Sequence, residues 1–218
     1  LEVLPLSIKR VLERLDHYVV ENEKTARRFI KKAAPSKEQS ELRLRVLNKY
    51  TPTEEWIELL EPCLHGADLG LISEAGCPGI ADPGAELVQL AHENGIRVRP
   101  LVGPSSIVLA LMGSGMNGQN FAFQGYLPIE KDERRKRIRE CEKRSRTTGE
   151  TQIFIETPYR NQKLFDELVG QLSPETRLCL ALDLTGASER LETRTAGQWK
   201  SMRPELPKEP ALFLIDAR

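Results

Sequence analysis

With 218 residues, 39% of them apolar and 29% charged, the chain is long enough for one large or two modest folded domains and too hydrophobic to be disordered. No apolar run reaches the roughly 20 residues of a membrane helix, so no membrane is expected as a partner, and the amino end, LEVLPLSIKR, lacks the long apolar core of a signal peptide. The 32 basic residues balance 32 acidic ones, which excludes a diffuse basic field; a nucleic-acid surface, if there is one, must be local.

In chain order, LSIKRVLERL (6–15) has apolar residues at helical spacing and HYVVEN (17–22) reads as a short strand. EKTARRFIKKAA (23–34) is helical until Pro35, and RLRVLN (43–48) alternates as a strand does. Thr51-Pro52-Thr53-Glu54 opens a helix through Trp56 to Leu60. DLGLIS (68–73) reads as a buried strand running into a glycine- and proline-rich loop, Ser73–Gly84. Helix 85–94 should end at Gly95, strand 96–102 follows, and GPSS (103–106) opens helix 107–115.

This alternation predicts a parallel α/β sheet. MNGQN (116–120) then reads as a linker. Beyond it come strand 121–128, a charged helix over 131–146, strand 151–157, helix 161–172, strand 177–184, a strand feeding a helical turn over 190–199, and a closing strand 211–217. The expected architecture is two α/β domains, 1–118 and 119–218.

In open α/β sheets, ligands bind beyond the carboxyl ends of the strands. The Ser73–Gly84 loop lies there, with glycines that permit close approach and Glu74 and Asp82 as acceptors. Gly103–Ser106 begins a helix and offers amides and hydroxyls to polar ligand atoms. No GxGxxG follows a strand, no P-loop is present, and GPSSIV is not a nucleophile elbow. Cys63, Cys77, Cys141 and Cys179 have no CxxC spacing and no histidine at ligand spacing, so no metal is expected; free thiols in a reducing cytoplasm are the simpler reading. His17, His65 and His92 read as surface or capping residues.

LISEAGCPGIADPG is similar to the VSDAGTPxISDPG motif of ribosomal RNA 2′-O-methyltransferases in the tetrapyrrole-methylase family. In the same order, RPLVGPSSIVLALMGSG, FAFQGYLPIEKDERRKRI and FIETPYRNQKLFDEL resemble that family's VPLPGPSAxxxALxxSG, FxFxGFLPxKxxxRxxxL and FYExPHRxxxxLxxL; upstream, VENEKTARRFI resembles AEDTRxTRRLL and LNKYTPTEE its YHEHNE segment. The resemblance spans about residues 17–216. It implies two α/β domains with S-adenosylmethionine held between them, and a homodimer. The cofactor residues it implies are Ser73, Glu74, Ala75, Gly76 and Ile80, then Pro104, Ser105 and Ser106, and in the second domain Leu184, Thr185, Pro210 and Ala211. Glu74 and Asn22 stand where the family has Asp, Lys24 where it has Arg, and Asn48-Lys49 replaces a His-Asn pair. The family's first strand and TPIGN loop have no counterpart, the chain opening inside the following helix.

A ribose hydroxyl acceptor needs a base; Glu21, Glu74 and Glu156, at predicted strand ends, are the candidates. Lys24, Arg27, Arg134, Arg135 and Arg137 are candidate contacts to ribosomal RNA or the small ribosomal subunit, the last three within the basic segment Lys131–Arg146, where acidic residues are interleaved. A small-molecule methylase acting on a tetrapyrrole, for example, and a non-catalytic cofactor-binding homologue are the alternatives. The lack of a GDP triplet in 73–78 argues against the tetrapyrrole substrate.

Overall fold

The computed structural model describes residues 2–74 and 76–218. The chain divides into two compact units, Leu1–Ser105 and Ser106–Arg218, so the division falls upstream of the expected 118/119 boundary. Helix α6 (Ser106–Ser114) belongs with the second unit because Ile107, Ala110 and Leu111 pack on Cys179, Leu212 and Leu214.

The first unit contains α1 (Leu6–Arg14), β1 (His17–Val20), α2 (Glu23–Ala33), β2 (Arg43–Val46), a 3-10 turn at Thr53–Glu55, α3 (Trp56–Leu59), α4 (Glu61–Leu64), β3 (Leu69–Ile72) and α5 (Ala85–Glu93). Its three strands are parallel in the order β2-β1-β3. Central β1 places Tyr18 and Val20 in one cluster with Leu12, Ala26 and Ile30, and Val19 on the other face with Leu47, Leu59 and Leu87. Tyr18 donates its hydroxyl to Leu12 O at 3.1 Å, and burial, followed by the nearby Asp16 charge, pushes its pKa up to about 12. Helix α5 ends as its sequence dictates: Gly95 has φ 68°, with Gly95 N–H donating to His92 O and Ile96 N–H to Ala91 O, a Schellman closure.

Segment 96–102 differs from the expected strand. Ile96 and Val98 do turn inward against the Val19 cluster while Arg97 and Arg99 face out. The alternation is real, but no ladder forms, and Pro100 has no N–H to give one.

The second unit contains α6, β4 (Phe121–Phe123), α7 (Lys131–Thr148), β5 (Thr151–Glu156), α8 (Asn161–Gln171), β6 (Arg177–Leu182), β7 (Arg190–Thr195), α9 (Ala196–Met202) and β8 (Ala211–Asp216). Its sheet is mixed, in the order β4-β5-β8-β6-β7, with only β4–β5 parallel. β8 is buried at every position, as the run ALFLID requires of a central strand. One face packs Phe165 edge-on to Trp199 at 5.4 Å, and the indole donates to Leu178 O at 2.8 Å. β4 is shorter than the expected 121–128 because Gly125 (φ 68°) turns the chain away.

Candidate active site

Parallel pairing aligns the ends of the three strands of the first unit: Val20 lies opposite both Val46 and Ile72. The residues that follow are therefore neighbours. Glu21 Oε1 accepts the backbone N–H of Glu74 at 2.8 Å. The Glu74 carboxylate in turn accepts from the hydroxyl of Thr25. Thr25 is held in place because Asn22 caps α2, its Oδ1 accepting from Lys24 N at 2.9 Å and Thr25 N at 3.2 Å. The end of β1 thus grips the start of the 73–84 loop through both backbone and side chain. At the end of β2, Asn48 Oδ1 accepts from Tyr50 N and forms a tight turn.

The two loops singled out from sequence meet. Cys77 Sγ lies 3.5 Å from Pro104 O, and Ser73 Oγ donates to Gly76 O at 2.7 Å. Gly76 has φ 152°, and a Cβ there would stand 3.2 Å from Pro104 O. Ile80, Leu101 and Val102 leave apolar surface exposed on these segments. Ala75 lies outside the described residues.

The second unit groups its own candidates. Glu156, Ala211 and Leu182 are register partners across β5, β8 and β6, so Leu184, Thr185 and Pro210 lie at the same sheet end. The backbone there is strained: Asp183 and Thr185 have φ 44° and 67°, and Glu189 accepts from Thr185 N at 2.6 Å. Ser105 and Ser106 stand at the division of the units, with Ser106 the first residue of α6.

Several candidate side chains are committed elsewhere. Glu156 is buried, and its Oε1 accepts from Thr157 N at 2.7 Å and from Arg160 at 3.0 and 2.8 Å. These bonds brace the 157–160 turn. Arg27 donates to Gln39 O, Leu42 O and Glu23, tying down the 39–42 loop. Arg134 is 5% exposed; it pairs with Glu167 at 2.6 Å and caps the carbonyls of Pro128 and Ile129. Arg135 leans on the same Glu167 at 3.3 Å, and Arg137 donates to Gln124 at 2.6 Å. A hydrogen bond from Gln152, then Arg144, holds the Glu150 carboxyl below its usual range against the opposing pull of burial, so Arg144 too faces an internal partner. Lys24 stays exposed at the first turn of α2.

Thr25 joins this cluster and does not stand out in the sequence. The available signal was its place three residues after an N-cap at a strand end, which aims a hydroxyl across the sheet edge. Among the described residues no group of three His, Cys, Asp or Glu side chains could hold a metal ion, and no helix is long and apolar enough to cross a membrane.

The fold matches solved structures over nearly the whole chain. The methyltransferase CobJ superposes with a TM-score of 0.62 at 14% identity, covering 99% of this chain and 88% of that one. A uroporphyrin-III C-methyltransferase from Thermus thermophilus, complexed with S-adenosyl homocysteine, gives 0.57 at 18% identity, covering 99% and 91%. The chain has the tetrapyrrole-methylase fold. In sequence it is similar to proteins named ribosomal RNA small subunit methyltransferase I: 35% identical over 134 residues to that of Vibrio cholerae, 62% of this chain and 45% of the relative. The Haemophilus influenzae protein of that name is 32% identical over 164 residues, 75% and 56%. The chain spans about half the length of the curated relatives it matches. No family model matches it.

Proposed function

We propose that this chain is an S-adenosylmethionine-dependent methyltransferase acting on a ribose 2′-hydroxyl of ribosomal RNA. The observation that carries the proposal is the Glu21–Glu74–Thr25 lock beside a glycine-rich loop at adjoining strand ends, in a chain similar to ribosomal RNA methyltransferases. The residues fit the cofactor: Gly76 provides a close backbone approach that a side chain would fill, Glu74 offers an acceptor, and Ile80 supplies apolar surface for a flat heteroaromatic ring. In the second unit, Leu184, Thr185, Pro210 and Ala211 are assigned to the same ligand.

When bound, S-adenosylmethionine supplies an electrophilic methyl group on a sulfonium. The protein must position the hydroxyl and receive its proton. Glu21 is the base in this reading. Its Oε1 holds the Glu74 amide at 2.8 Å, and among the described residues no side chain or amide occupies Oε2. Glu74, restrained by Thr25, positions ligand. Lys24 offers an exposed cation to a phosphate.

A tetrapyrrole substrate is the second reading, favoured by the solved neighbours. Their identities of 14–18% speak for the fold alone, whereas the ribosomal RNA methyltransferases reach 32–35%. Assembly as a homodimer in the cytoplasm belongs to the first reading. The test is to incubate the protein with labelled S-adenosylmethionine and small ribosomal subunits from a strain lacking it. Label in the RNA is expected. Absence of calorimetric S-adenosyl homocysteine binding at millimolar ligand overturns the methyltransferase reading.

A further inference from the structure

At the end of the second sheet where β4 and β5 finish, three large side chains stand in solvent: Tyr126 is 53% exposed, Ile129 76% and Tyr159 85%. A tyrosine so exposed gives the fold little burial energy, and its ring is a flat amphipathic face. Tyr126 stands beside the end of β5, since Phe123 lies opposite Ile153 and Ile155 N donates to Gly125 O at 3.1 Å. Tyr159 follows Glu156 by three residues, on the turn that Glu156 fixes through Arg160.

A cation stands beside one of these rings. Lys208 Nζ lies 5.8 Å from the Tyr159 ring centre. Its segment is strapped to the start of α8, because the buried Asn161 donates to Pro207 O at 2.7 Å and Glu209 O at 3.1 Å. A cavity of about 40 Å³ nearby is lined by Ile129, Arg134, Glu156, Arg160 and Lys163. Glu156 is neutralised by Arg160, while Lys163 and Lys208 form no ion pair among the described residues. Arg134 keeps a buried Nη2 without a partner.

We propose that this sheet end is a stacking platform for unpaired bases of RNA, with Tyr126 and Tyr159 as the faces and Lys163 and Lys208 as phosphate partners. Exposed aromatics interleaved with cations suit a single strand: every base has a π-face to stack, and phosphates follow the basic rim. A duplex hides its base faces and cannot use the tyrosines. The proposal rests on the reading of the chain as an RNA methyltransferase and adds where the strand lies on the second unit.

The experiment measures anisotropy of a fluorescein-labelled oligoadenylate of about 12 nucleotides against the full chain at several salt concentrations, beside the same strand annealed to its complement. S-adenosyl homocysteine calorimetry and circular dichroism accompany each variant. Tyr159→Ala should weaken single-strand binding about tenfold, Tyr159→Phe should match the parent, and Lys163→Gln should flatten the salt slope by about 0.7. Cofactor affinity should stay constant in all three. Equal affinity of Tyr159→Ala and the parent, loss in Tyr159→Phe as large as in Tyr159→Ala, duplex binding that equals single-strand binding, or competition by inorganic phosphate alone as effective as by oligonucleotide overturns the platform. If cofactor binding persists in that event, the methyltransferase reading stands without it.

Discussion

Glu21→Gln separates charge from geometry at the candidate base. Glutamine keeps an Oε1 that can accept the Glu74 amide, now 2.8 Å away, so the β1 end should still grip the 73–84 loop. The stability loss is the difference between a charge-assisted and a neutral hydrogen bond at a partly exposed position, about 1 kcal/mol or less, which shifts Tm by about 2–4 °C or less in a chain of this size. Loss of a general base costs about 10²–10⁴ in rate, or about 3–5 kcal/mol in the barrier. Single-turnover methyl transfer to small ribosomal subunits at saturating cofactor should therefore fall at least about 100-fold, with S-adenosyl homocysteine affinity nearly unchanged. Glu74→Gln should lose far less, because Thr25 still has an oxygen to bond and the backbone amide is untouched. A Glu21→Gln rate within a few-fold of the parent would refute the base assignment, and a reversed order of the two variants would transfer the role to Glu74.

Gly76→Val puts a branched side chain on a residue with φ 152° whose Cβ stands 3.2 Å from Pro104 O. It should cost about 1–3 kcal/mol of backbone strain and weaken cofactor binding by calorimetry; unchanged affinity would remove the 73–80 loop from the site. Arg134→Met leaves Glu167 with only Arg135 and strips the carbonyls of Pro128 and Ile129. Thermal denaturation should show a loss of about 3 kcal/mol, largely recovered in the Arg134→Met/Glu167→Leu double variant, while oligonucleotide affinity of the folded protein stays at the parent's. A parental Tm together with weakened RNA binding would instead make Arg134 a substrate contact.

Periodicity was enough to find most elements because local pattern and burial agree: HYVV, LGLI and ALFLID are strands where they read as strands, and Gly95 and Gly149 end helices in the left-handed region. It did not reveal partners. Segment 96–102 alternates correctly and still forms no ladder, since pairing depends on a neighbour and on an N–H that Pro100 lacks. The MNGQN turn reads as a linker because it is polar and glycine-bearing, but whether α6 belongs before or after it is decided by the apolar face of Ile107, Ala110 and Leu111, which finds β8. At the candidate site, strand-end carboxylates could be named from sequence. Which of them meet is set by register: Glu21 and Glu74 follow paired residues of parallel strands, while Glu156 ends a strand of the other sheet with Arg160 four residues on.

The zero net charge shows the same distinction at the scale of the surface. A balanced count argues against RNA binding only if each charge is equally available, and here they are not. Arg27 holds a loop, Arg134 is spent on Glu167, and Arg177 and Arg218 converge on the buried Asp216. Burial works to raise the pKa of Asp216, but hydrogen bonds from Arg218 and the charges of both arginines outweigh it and hold the carboxyl below its usual range. Such pairs cancel inside the fold and leave no field for a ligand. Lys163 and Lys208 form no ion pair among the described residues, and Lys208 stands beside the exposed Tyr159 ring. A neutral chain can therefore carry a local phosphate-binding rim, because what a strand meets is set by which cations stand unpaired at that surface and not by the total charge.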